Sequence, residues 1–128
     1  YATPTPIPPY PPPPLLSPPD GAVFGGPDAR IVLQWASVAV LRDNEWYELR
    51  ITRPGLPVVR VRTRTTAYRV PADLFPPPGS QAREFQWEVR VVRETRSGTF
   101  TTASEEGLTR RFLWLESPLT PTPTPLPP

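Results

Sequence analysis

A chain of 128 residues without cysteine or histidine has no disulfide, no thiolate metal site and no Ser–His or Cys–His catalytic pair. All 14 basic residues are arginine, which stays protonated at ordinary pH, so no side-chain amine acts as a base or forms a Schiff base. Against 12 acids the net charge is only +2, with the signs mixed along the chain, so nucleic acid is not expected as a partner.

The chain starts with a proline tract. Residues 1–14 hold eight prolines, and each one fixes φ and removes a backbone donor, which predicts an extended polyproline-type segment. At about 3.1 Å per residue this linker reaches roughly 40 Å and acts as a semi-rigid spacer. Thr3-Pro4-Thr5-Pro6 is answered by Thr120-Pro121-Thr122-Pro123-Thr124-Pro125 in a second linker, residues 117–128. Thr3, Thr5, Thr120, Thr122 and Thr124 read either as O-glycan acceptors on a stalk or as joint residues of an unmodified linker. A third reading also stays open. In an extended strand successive N–H groups point to opposite sides, so Thr-Pro alternation leaves donors on one edge only and suits pairing with a sheet edge of this or a neighbouring copy.

Residues 15–116 read as one all-β domain, because strand-period runs and turn signals alternate and helix-period stretches are missing. Leu15 to Gly21 predicts a first strand broken by prolines, which suits an edge. Arg30 to Trp35 predicts a central strand with Ile31, Leu33 and Trp35 on one face. Trp46 to Ile51 follows, with Tyr47, Leu49 and Ile51 inward and Trp46, Glu48 and Arg50 outward. In Val58 to Arg64, Val59, Val61 and Thr63 oppose an arginine stripe, Arg60, Arg62 and Arg64. Tyr68 and Val70 mark a short strand ending at Pro71, and Leu74 plugs the core from the turn. Glu84 to Val92 is the clearest strand, with Phe85, Trp87, Val89 and Val91 inward. A long connection, Arg93 to Gly107, turns near Ser97-Gly98. In the last strand, Arg110 to Leu115, Phe112 and Trp114 share one face, and Leu113 and Leu115 make the other unusually apolar.

Several of these segments resemble a fibronectin type III or related immunoglobulin-like sandwich. Leu33-Gln34-Trp35 is similar to the family's second-strand tryptophan motif, and Trp46-Tyr47-Glu48-Leu49-Arg50-Ile51 to its third strand. Val70-Pro71-Ala72-Asp73-Leu74 with Gly79 resembles the turn before the sixth strand, and Phe85 to Val91 resembles that strand. The resemblance implies a single seven-stranded sandwich flanked by extended tails. Pro-Thr linkers on such modules are similar to those of bacterial surface and secreted multidomain proteins, which implies an extracellular or cell-surface place. The Arg93 to Gly107 connection is longer than the family's usual loop, and no Arg-Gly-Asp tripeptide is present.

No catalytic residue, cofactor or metal is expected. Glu105-Glu106 is the one adjacent acidic pair, and neighbouring acids on a loop are usually solvated surface. Asp20, Asp28, Asp43 and Glu45 lack the spacing of a calcium loop, and turn formation accounts for them. The Arg60, Arg62, Arg64 stripe reads as a solvated face paired with acids such as Glu48 and Glu88, or as a grip for anionic wall polymer. Trp35 and Trp87 belong in the core. Trp46 and Trp114 are open, and an exposed Trp46 with Leu113 and Leu115 would form a contact patch for sugar or a second copy. The longest apolar runs, such as Val38 to Leu41, are too short for a bilayer, so no membrane insertion is expected within this chain. Any export signal or anchor is expected to lie outside the sequence.

The first expectation is therefore a non-enzymatic extracellular structural module, in tandem or in a surface filament, whose partners are neighbouring domains or copies of itself. The competing expectation is a carbohydrate- or wall-binding module that uses Trp46 and the arginine stripe.

Overall fold

The computed structural model describes residues 9–79 and 83–117. They form an all-β fold of two sheets, with one short 3-10 turn at Ala72–Leu74. The strands are β1 (Leu15–Ser17), β2 (Ala22–Gly25), β3 (Val32–Trp35), β4 (Glu45–Thr52), β5 (Val59–Thr63), β6 (Ala67–Arg69), β7 (Glu84–Glu94), β8 (Phe100–Thr102) and β9 (Arg110–Leu115). The smaller sheet has the order β1-β3-β6, and the larger has β2-β9-β7-β4-β5 with β8 beside the end of β7.

The described residues thus hold nine strands, not the seven expected. One addition comes from the proline-broken first segment. The chain leaves β1, which pairs with β3, crosses to the other sheet at Pro18-Pro19-Asp20-Gly21, and forms β2 along β9. Prolines in the crossing withhold the donors a continuous strand needs. The other addition is β8, folded back on β7 inside the long connection. Its tight turn is closed by Thr95 N–H to Thr99 O at 2.7 Å and by Gly98 at φ +85°.

Alternation puts one face of each long strand into the core. Leu33 and Trp35, Tyr47, Leu49 and Ile51, Phe85, Trp87, Val89 and Val91, and Phe112 and Trp114 are all buried, joined by Ile31 and Val70. Full burial of a large apolar side chain stabilises by about 1.5–3 kcal/mol, so this set supplies most of the driving force. Phe85 stacks on Phe112 with ring centroids 4.9 Å apart. Trp114, left open by the sequence, is core, and its indole N–H donates to the Gly26 carbonyl at 2.7 Å. Leu74 packs half-buried against the cluster.

The topology separates the ends. The proline segment arrives where β4 begins and β7 approaches its end, since Ala36 N–H donates to Pro14 O at 2.8 Å and Glu45 stands opposite Arg93. β9 is antiparallel to β7 and finishes at the other pole, where Glu116 accepts from Gly79 N–H at 2.6 Å and pairs with Arg83 at 2.7 Å.

Candidate functional site

The most specific polar constellation outside the sheets is the seat of the N-terminal proline segment. Even-numbered positions 4, 6, 8, 12 and 14 are proline, and the one break in that series is Tyr10. In an extended chain these positions share one side, so Tyr10 holds the single backbone donor available there. The structure uses it. Tyr10 N–H donates to Ala103 O at 2.9 Å and Tyr10 O accepts from Glu105 N–H at 2.8 Å, a parallel bridge centred on Ser104. Residues 10–14, which composition groups with the linker, therefore lie against the sandwich. Pro13 is buried, and Pro12 stands over Gly107.

The Tyr10 side chain completes the seat by donating its phenol proton to Glu45 Oε1 at 2.8 Å. Glu45 is fully buried. The same oxygen accepts from the Arg42 backbone N–H at 2.8 Å, and Oε2 accepts from Arg93 Nε and Nη2 at 3.1 and 2.8 Å. Burial alone would raise this carboxyl, but the bonds from the Arg42 amide, Arg93 and Tyr10 outweigh it and hold it below its usual 4.5. In turn the hydrogen bond to Glu45, with burial adding to it, raises the Tyr10 phenol above its usual 10.0. Both shifts mark a carboxylate and a neutral phenol that stabilise each other.

Ser104, itself buried, secures the other side of the seat. β7 borders β9 as far as Trp87 opposite Arg110 and borders β8 from Val92 opposite Thr102. In the gap between, Val91 N–H donates to Ser104 Oγ at 2.9 Å and Ala103 N–H to Val91 O at 2.7 Å. A polar groove of about 320 Å³ runs alongside, with Glu105 and Glu106 exposed at its rim. Among the described residues no group of three or more acids could hold a metal ion.

The other candidate residues sit elsewhere. Thr3, Thr5, Thr120, Thr122 and Thr124 lie outside the described residues. Trp46 is half-buried on the outer face of the larger sheet. Phe100 meets its ring edge-on at 5.8 Å, and the Arg64 guanidinium lies 4.8 Å from its centroid. Arg64 also donates to the carbonyls of Arg42 and Asp43. Arg62 covers Phe100 at 3.8 Å and pairs with Glu48 at 3.3 Å, which buries that outward-facing acid. Arg60 stands opposite Arg50, while Glu88 pairs with Arg50 and Arg90.

Trp46 and the Leu113, Leu115 pair do not form one patch. Trp46 is opposite Val92 and Leu113 opposite Glu84, at the two ends of β7, about 25 Å apart at the usual strand rise. Leu113 is 38% exposed beside Val23 at 41%, and Leu115 is half-buried beside Gly25. Of the carboxylates weighed for calcium, Asp20 accepts from Arg111 N–H at 2.9 Å and Glu45 is taken up by the seat.

The sequence reading passed over the seat, yet its signal is present. Glu45 continues the inward series Tyr47, Leu49, Ile51, and Arg93 continues Phe85, Trp87, Val89, Val91. Opposite charges at inward positions of two strands announce a paired, partnered carboxylate. No protein-family model, curated protein or solved structure matches the chain.

Proposed function

We propose that this chain is a non-enzymatic structural module of the fibronectin type III and immunoglobulin-like kind, joined in series to neighbouring modules or copies outside the cell through its Pro-Thr ends. The observation that carries this reading is the seated proline segment, together with the placement of residues 10–14 and Glu116 at opposite poles of the sandwich. A spacer fixed to its module by a phenol–carboxylate bond and a backbone bridge transmits orientation, whereas a free linker transmits only length. Thr3, Thr5, Thr120, Thr122 and Thr124 are its joint residues and glycan acceptors. The wall-binding alternative lacks an open aromatic platform, because Arg64 and Phe100 engage Trp46.

Native material tests the proposal. Electron microscopy should find the chain in strings or filaments, and intact mass should show an excess divisible into sugar units. A solitary, unmodified chain retained on insoluble polysaccharide would overturn it.

A further inference from the structure

We propose that the seat is a peptide-binding site that reads an extended Pro-x-Tyr-x-Pro segment, and that a second copy of this chain supplies one from residues 8–12. This rests on the seat described above and adds a partner to it.

Three features make the seat a site rather than a fixed part of the fold. The first is preformation. When Tyr10 departs, Glu45 keeps its bonds from the Arg42 amide and from two Arg93 nitrogens, and Ser104 keeps Val91, so neither buried polar group is stranded. The second is register. Prolines at 8 and 12 have no N–H, so a segment of this kind bridges Ser104 only through Tyr10, and Gly107 leaves space for Pro12 on one side. The third is selectivity. The Thr-Pro run near the other end has no tyrosine and cannot reach Glu45 with a phenol, so it is excluded although it is equally rich in proline.

The segment that occupies the seat within one chain has the advantage of a short tether, which gives it a high effective concentration. Exchange between copies therefore needs the internal segment weakened or the copies crowded together. Once exchanged, each copy is held by the N-terminal segment of another, and assembly gains a defined polarity.

The experiment uses the full chain with Tyr10→Ala, which takes the phenol off Glu45 and so weakens the internal segment's hold on the seat, and a ¹⁵N-labelled peptide of residues 1–14. The peptide should bind this variant at least about tenfold more tightly than the wild-type chain, and a Tyr10→Phe peptide should lose about tenfold. A peptide of residues 118–128 should not bind. If Tyr10→Ala fails to fold, the full-length Tyr10→Phe variant, which keeps the ring, serves the same titration. Equal binding of the two peptides, or no binding to the weakened chain, overturns exchange. A Tyr10 amide still protected in the wild type would then leave the joint reading standing, and an unprotected one would overturn both.

Discussion

Gly107 makes room for Pro12: a Cβ built at 107 would stand 2.8 Å from Pro12 Cβ. The glycine serves close approach, and the atom it would strike belongs to a stiff ring that cannot swing aside. Gly107→Ala should therefore unseat the proline segment or cost about 1–3 kcal/mol in overpacking. Thermal unfolding combined with amide exchange at Tyr10 and Glu105 checks this. A higher Tm with both amides still protected would count against the contact, because a glycine-to-alanine change in open space stabilises by roughly 0.4–1 kcal/mol.

Seating should depend on pH at both extremes. Glu45 is held below its usual 4.5 in the folded chain, so its contribution is complete above that value and is lost as pH falls through the depressed one. Tyr10 is raised above its usual 10.0, so its contribution is complete below that value and is lost as pH climbs through the raised one. Protection of the Tyr10 amide should be flat between these limits and fall outside them. Tyr10→Phe should abolish the alkaline limb and keep the acid one.

Removing the buried carboxylate charge should hurt more than removing the phenol. Glu45→Gln leaves Arg93 facing an uncharged group, and because Arg93 is partly exposed and can turn toward water, we expect about 2–3 kcal/mol, below the usual loss for a fully buried pair. Tyr10→Phe should cost roughly 1 kcal/mol. Denaturant midpoints of the two variants settle the order.

Two equally buried tryptophans should respond differently to phenylalanine. Trp114 donates to Gly26 O, whose residue is itself buried, whereas the Trp87 indole N–H has no hydrogen-bond partner. Trp114→Phe removes the short bond to the Gly26 carbonyl and leaves it only the longer one from Ala29 N–H at 3.3 Å, whereas Trp87→Phe removes an unpaired donor. The first should be more destabilising than the second by about 1–3 kcal/mol, measured by chemical unfolding. Equal losses would mean that ring volume alone decides.

On the outer face, Phe100→Ala should uncover the Trp46 edge and release Arg62. Tryptophan emission should shift to the red with a stability loss of about 1–2 kcal/mol.

Period-two alternation read the core almost residue by residue, since Tyr47, Leu49 and Ile51, like Phe85, Trp87, Val89 and Val91, bury the face their spacing assigns. It failed at β2 and β8, which run four and three residues, because segments that short lack a period and owe their pairing to partners far along the chain. The seat was harder to see for another reason. Tyr10 looks like one more residue of a low-complexity tract, and its meaning depends on which strand end the tract meets. Inward Glu45 and Arg93 were readable as a pair only once β4 and β7 were aligned. The outer-face cluster was half legible: the arginine stripe and the turn near Ser97-Gly98 were visible, but the partner Phe100 sits on a three-residue strand after that turn that no spacing announced.

β2 lies parallel to β9, so the chain enters β2 from the side of the Tyr10 seat and leaves β9 at the opposite pole, beside Gly79. Traction applied at the two tails would pull them past each other lengthwise, so their shared hydrogen bonds would be loaded in shear and give way together. A hairpin under the same pull would unzip rung by rung. A four-residue ladder placed this way resists stretching out of proportion to its size.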